Sequence, residues 1–230
     1  MKFKMYQVDA FTDKLFAGNP AAVVILESSL SEDVMQSIAS ENNLSETAFV
    51  SIHENPVSIR WFTPSIEVDL CGHATLASAR ILFDYYSDLA GEEINFNSKS
   101  GVLKITKVED GLCLNFPSDL PVTIKTDPLF LEILGIEPLM LLRGKDDYLA
   151  VFENQKQIKN MQPNFSLLKK LDARGLVISA PGDEVDFVSR CFYPEAGIEE
   201  DPVTGSAHTM LTPYWAVSYT HLTLPTILLV

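Results

Sequence analysis

The residues most able to do chemistry in this chain sit in a phrase that it uses twice. The first copy is Asp69-Leu70-Cys71-Gly72-His73-Ala74-Thr75, and the second is Asp201-Pro202-Val203-Thr204-Gly205-Ser206-Ala207-His208. An aromatic residue and a proline precede each, in Trp61-Phe62-Thr63-Pro64 and in Cys191-Phe192-Tyr193-Pro194. In both copies a glycine opens a run of small residues that predicts a helix. A helix start presents unpaired N–H groups at the positive end of its dipole, which suits a carboxylate or an oxyanion. Glycine there lets a ligand approach the backbone closely. One such glycine need only start a helix. Two of them, Gly72 and Gly205, followed directly by His73 and Ser206, point to a site built from two related halves.

The other polar residues near these glycines are Asp69, Asp201 and His208. Asp201 precedes Pro202, so its backbone is held extended and its carboxylate can point toward a ligand. His73, directly after the helix-opening glycine, is the best placed of the four histidines. His208 falls one turn into its helix and is expected to pack against it, and His53 and His221 carry no local signal. Glu46, in Ser45-Glu46-Thr47, leads into an apolar strand. A carboxylate at a strand mouth that became buried would have its pKa raised toward the range useful for general acid–base work. Cys71 reads as a small buried hydrophobe.

The elements that must hold these groups follow from periodicity. Phe3 to Ala10 predicts a strand, Asp13 to Pro20 a turn, and the continuous apolar run Ala21 to Leu26 a buried strand. Ser31 is a plausible N-cap for a helix carrying Val34, Met35, Ile38 and Ala39 and ending at Asn42-Asn43. Strands follow at Thr47 to Ile52 and Val57 to Phe62, then a loop from Thr63 to Leu70. The helix from Gly72 to Tyr86 is apolar on nearly every side, so it should be buried all round, with sheet packed closely about it. Ile94 to Phe96, Gly101 to Val108 and Leu112 to Phe116 predict three more strands.

Pro117-Ser118-Asp119-Leu120-Pro121 marks a boundary, and the order of elements then repeats. Tyr148 to Phe152 predicts a strand and Phe165 to Leu171 a helix with Ser166 and Lys169-Lys170 on its polar side. Leu176 to Ala180 and Phe187 to Phe192 predict strands, followed by an acidic loop and a helix from Gly205. The expected organisation is an N-terminal half over 1–116, a C-terminal half over 117–216 that is incomplete, and a non-native tail over 217–230. That last stretch, VSYTHLTLPTILLV, has no acidic residue, lysine or arginine.

Composition narrows the partners. Seventeen basic against 31 acidic side chains give a net charge of −14, a surface that repels phosphate backbones and anionic lipid. Nucleic acid and membrane partners are therefore not expected. The three cysteines, Cys71, Cys113 and Cys191, are too few and too scattered for a disulfide framework and include no CxxC pair. A reducing, cytoplasmic setting fits them. No signal-peptide core follows Met1, and no run reaches the roughly 18 apolar residues of a membrane span.

Longer phrases carry a resemblance. Asn42-Asn43-Leu44-Ser45-Glu46-Thr47-Ala48-Phe49, the Trp61 to Pro64 phrase, Asp69 to Thr75 and Glu200 to His208 together resemble the phenazine-biosynthesis PhzF-like isomerase family. Val8-Asp9-Ala10-Phe11-Thr12 and Gly18-Asn19-Pro20-Ala21-Ala22-Val23 do so as well, and the tail departs from the pattern. The resemblance implies an α+β, diaminopimelate-epimerase-like fold of two pseudo-symmetric domains. Each would be a β-barrel-like sheet around a central helix, with the active site between them. It also implies a homodimer and proton transfer on a small carboxylic-acid substrate without cofactor or metal. The family's prototype shifts a proton within a dihydro-hydroxyanthranilate. By the same resemblance Glu46 is the acid–base residue, His73, Asp201 and Ser206 contact the substrate, and backbone at Gly72 and Gly205 holds its carboxylate.

Two other readings stand beside this one. Related epimerases and racemases use paired cysteines. Cys71 sits at the first such position, but the second loop offers Asp201. A non-catalytic member that kept only small-molecule binding is the third.

Overall fold

The apolar run after Asn19 forms a strand covered on both faces. In the computed structural model, which describes residues 2–14, 16–109 and 111–218, β2 (Asn19–Leu26) is buried at every position except Pro20. It pairs antiparallel with β1 (Lys4–Ala10) and parallel with β3 (Glu46–Ser51). A parallel pair needs a crossover, and α1 (Glu32–Asn42) supplies it. Ser31 stands at its N-cap with extended backbone, but its hydroxyl makes no capping bond. Next, β4 (Ser58–Phe62) runs antiparallel to β3, and β5 (Glu67–Val68), inside the stretch predicted as loop, pairs with β4. Then come α2 (Gly72–Tyr85), β6 (Glu93–Ser98), β7 (Gly101–Val108) and β8 (Gly111–Asn115). The strands lie in the order β1-β2-β3-β4-β6-β7-β8.

Strand alternation divides this sheet into two faces. Ala21, Val23 and Ile25 of β2, Ala48 and Val50 of β3, and Ile59 and Trp61 of β4 join the α2 residues Ala74, Leu76, Ala77, Ala79 and Leu82 in one core. Their neighbours Val24, Leu26, Phe49 and Phe62 turn the other way onto Met35 and Ala39 of α1. Both end strands, β1 and β8, touch α2, so the sheet curls around that helix. Every residue from Gly72 to Ala79 is buried. The hydroxyls this burial traps bond back along the helix, Thr75 to the Cys71 carbonyl and Ser78 to that of Ala74 at 2.7 Å.

The chain divides into two compact units in sequence between Phe116 and Pro117. The second begins with β9 (Val122–Ile124), α3 (Pro128–Leu134), β10 (Met140–Arg143) and β11 (Asp147–Val151). It continues with α4 (Gln155–Asn160), α5 (Phe165–Leu168), β12 (Gly175–Pro181), β13 (Phe187–Tyr193), β14 (Ile198–Asp201) and α6 (His208–Ser218). The sheet order is β14-β13-β12-β11-β10-β9. The β11–β12 pair is parallel and the remaining pairs are antiparallel. From β10 to α6, the second unit thus repeats the first from β1 to α2. Register agrees: Thr47 faces Phe62 as Leu176 faces Phe192.

Other expectations change as well. The helix predicted from Phe165 to Leu171 is a single turn, Phe165–Leu168. The acidic loop after Pro194 contains β14, paired with β13. The helix predicted from Gly205 begins at His208, with residues 205–207 forming a tighter turn. Here His208, Thr209 and Met210 donate to carbonyls three residues back, each at 3.1 Å. The His208 ring explains the shift. Its Nδ1 takes the Thr204 carbonyl at 3.0 Å, the acceptor that an α-helix begun at Gly205 would give to the His208 amide. Helix α6 runs to Ser218, so the first two residues of the supposed tail belong to it. The rest, 219–230, lies outside the described residues.

Candidate functional site

Alternation along β3 aims Glu46 at the start of α2. Ala48 and Val50 face α2, and Glu46, two residues before Ala48, emerges on the same side. There it meets His73, the second residue of α2, with Glu46 Oε2 3.5 Å from His73 Nε2. The other ring nitrogen, Nδ1, lies 3.5 Å from Cys71 Sγ. His73 is 3% exposed, and burial pushes its pKa down to about 4, against a weaker upward pull from the Pro20 carbonyl. The imidazole is therefore neutral at neutral pH.

This neutrality has a stability consequence. The unfolded chain binds a proton at His73 near pH 6.5, whereas the folded chain does so only near pH 4. Acid thus favours the unfolded state across that window, and the stability present above pH 6.5 is lost as pH falls. The two-and-a-half-unit difference corresponds to a loss on the order of 3 kcal/mol. Urea unfolding measured at pH 7 and at pH 4 should show it, and a His73→Gln variant should lose that part of the slope. An equal slope in the variant would show that His73 is not the source.

Glu46, Cys71 and His73 are also ligand types that metals accept, and their ligand atoms lie within 4.8 Å of one another. Cys71 and Glu46 approach different nitrogens of the ring. Beside it, α2 opens at Gly72 with no acidic residue in its first turn and with extended backbone at Cys71. Its N–H groups suit a carboxylate.

In the second unit the residues at the start of α6 are organised differently. Asp201 ends β14 and accepts from the Thr204 hydroxyl at 2.5 Å. Ser206, buried in the turn after Gly205, accepts from Arg174 Nη2 at 3.4 Å. Arg174 grips Asp147 with both fork positions, Nε to Oδ1 at 2.9 Å and Nη2 to Oδ2. Burial opposes the charge on Arg174, but the bonds to Asp147 outweigh it and hold the guanidinium protonated. Asp201, Gly205 and Ser206 lie at the end of β14 and in the turn before α6. Asp147 and Arg174 were not anticipated, and no local motif marks either.

Register shows what stands at the Glu46 position in the repeat. Glu46 pairs with Ala21, and Gly175 pairs with Asp147, at the matching ends of the two parallel ladders. A Cβ on Gly175 would lie 2.2 Å from Tyr193 Cδ1 and 2.5 Å from the Phe192 carbonyl oxygen. The slot is filled. The residue matching Cys71 is Thr204: each carbonyl is bonded by the side chain four residues on, Thr75 and His208. Cys191 lies in β13, and burial pushes its thiol up to about 12. Asp69 is exposed, its carbonyl held by the Ser100 hydroxyl at 2.8 Å.

Comparison with known proteins gives concordant matches. The model of the family described as phenazine biosynthesis-like protein matches residues 8–226. An uncharacterised isomerase of Halalkalibacterium halodurans is 48% identical over 218 residues, covering 94% of this chain and 82% of that protein. The human phenazine biosynthesis-like domain-containing protein is 38% identical over 94% of this chain and 84% of its own length. Among solved structures, a PhzF-family phenazine biosynthesis protein of Enterococcus faecalis superposes with a TM-score of 0.85 at 48% identity, covering 95% of this chain and 84% of that one. A predicted epimerase of Pseudomonas aeruginosa shares the fold at 18% identity, with a TM-score of 0.69 over 97% of this chain and 84% of its own. No helix among the described residues is long and apolar enough to cross a membrane.

Proposed function

The chain belongs to the phenazine biosynthesis-like (PhzF) family of isomerase-related proteins, and we propose that it moves a proton within a small carboxylic acid, without a cofactor, using Glu46 as the single acid–base group. The observation that carries this reading is a Glu46 side chain only 13% exposed, beside a neutral His73 at a helix start that can take a carboxylate. Glu46 accepts the proton from one carbon while the C–H electron pair moves into the adjoining unsaturated system. It then returns the proton to a second carbon, so the two steps balance. The N–H groups at Gly72 hold the substrate carboxylate and His73 contacts the substrate. On the second unit the same reading gives binding roles to Asp201, Gly205 and Ser206. Homodimer formation and a cytoplasmic setting belong to the proposal and rest on the family resemblance and on the small number and wide scatter of the cysteines.

A single carrier fits better than a two-base epimerase. At the position matching Glu46 the second unit has Gly175, covered by Tyr193. Its nearby Asp147 is committed to Arg174, and Thr204 replaces a second thiol. The test is incubation with small unsaturated carboxylic acids in D2O, followed by NMR. Label at two carbons of one acid is the expected result. An acid that binds and acquires no label would leave a binding protein and remove the isomerase.

A further inference from the structure

A neutral imidazole carries one proton on two nitrogens. The Pro20 carbonyl hydrogen-bonds the His73 ring, and a carbonyl only accepts, so the nitrogen it meets is the one bearing the proton. The other nitrogen presents a lone pair, whichever of the two it is. A ligand atom stands beside each: Glu46 Oε2 is 3.5 Å from Nε2, and Cys71 Sγ is 3.5 Å from Nδ1. One such atom from each of the three residues lies within 4.8 Å of the others. A ring that gives its N–H to a backbone carbonyl and keeps its other nitrogen for a metal is the usual form of a metal-bound histidine.

Charge and chemistry select the ion. A carboxylate and a thiolate together cancel two positive charges, so a divalent cation would enter this buried place without leaving net charge. A thiolate at Cys71, the N-cap of α2, also faces the positive end of that helix. Sulfur, imidazole and a single carboxylate are a mixed set that zinc accepts, whereas calcium and magnesium want oxygen. Zinc bonds of about 2.0–2.3 Å put ligand atoms roughly 3–4 Å apart, so the three must close by about 1 Å. Glu46, at the mouth of β3 on a long side chain, is placed to supply that movement.

We propose that Glu46, Cys71 and His73 form a zinc-binding site, three protein ligands with a fourth position left for water or an anion. Binding releases the Cys71 proton to solvent as the Zn–S bond forms. The site stands apart from the reading of Glu46 as proton carrier. Under that reading zinc is an inhibitor, because it occupies the carboxylate that takes the proton from carbon.

Cobalt(II) reports such a site directly, since a bound thiolate gives it a charge-transfer absorption in the near ultraviolet. Titrating the whole, oxygen-free protein should give that band, saturating at one equivalent and abolished by zinc but not by calcium or magnesium. Cys71→Ala should remove the band and weaken zinc binding, followed by calorimetry, by more than about 100-fold, beyond the range for losing an orienting partner. Glu46→Gln should keep the band and weaken binding by about tenfold or more. Cys113→Ala should behave as wild type. The absence of a saturable band in wild type would overturn the proposal without recourse to any variant. So would a band that survives Cys71→Ala or vanishes in Cys113→Ala. One equivalent of zinc should also stop deuteration of a bound acid, and a chelator should restore it. Full deuteration by zinc-loaded protein would remove Glu46 as the carrier and leave the metal site standing, so the two failures stay distinct.

Discussion

Replacing Glu46 with Gln is expected to slow proton exchange into a bound acid by about 10²–10⁴-fold, the range for losing a general acid–base group. Glutamine keeps the shape of the side chain and an oxygen that His73 Nε2 can reach, so β3 and the start of α2 should be undisturbed. What it loses is basicity. Binding of the acid should change by no more than a few-fold, because the proposed carboxylate anchor is the backbone at Gly72. Deuterium incorporation followed by NMR gives the first quantity and calorimetric titration the second. A glutamine variant that exchanges at the wild-type rate would remove Glu46 from the mechanism. Comparable loss of binding and rate would make Glu46 an anchor, not a carrier. Glu46→Asp is a finer probe: it keeps the charge but withdraws it by one methylene, so partial activity is expected.

The part of this site that could be read from sequence is the part built by local rules. A strand alternates and a helix begins after an extended residue, so Glu46 and His73 could be placed at a strand mouth and a helix start from their neighbours alone. That they meet depends on α2 lying against β3, which the all-round apolar character of the Gly72 helix implied. The Arg174–Asp147 pair had no such signal, because its partners lie 27 residues apart and meet only through the parallel register of β11 and β12. The start of α6 was misplaced for a related reason: a side chain, His208, competes with the backbone for the Thr204 carbonyl. Elsewhere the local signals are explicit. Asp127 accepts from the Leu129 amide ahead of Pro128, and Gly135 closes α3 at φ 70°, so a capping residue, a proline and a glycine mark α3 from both ends. The capping box of Asn154 and Gln157 announces α4 in the same way.

The asymmetry between the repeats leads to the largest stability effect expected in the second unit. Where the first unit presents a carboxylate from β3, the second has turned its nearby carboxylate, Asp147, into half of an ion pair. Asp147 is 4% exposed, so removing Arg174 would strand a buried charge. Breaking such a pair costs about 3–5 kcal/mol when both partners are buried. The Arg174 side chain is 31% exposed, so water can partly replace it, and Arg174→Ala should cost about 2–3 kcal/mol. Arg174→Lys would keep the charge but lose the two-pronged grip, and an intermediate loss should follow. The double variant Arg174→Ala with Asp147→Asn leaves no charge behind and should be more stable than Arg174→Ala alone. Urea unfolding of the four proteins measures this coupling, and additive losses would mean that the pair does not act as a unit. Because Arg174 also donates to Ser206, the pair gives the Gly205–Ser206 turn a fixed edge without exposing a second base. The two repeats thus differ beside their helix starts: in one the Glu46 carboxylate stands next to His73, and in the other Asp147 is paired with Arg174, which steadies the turn.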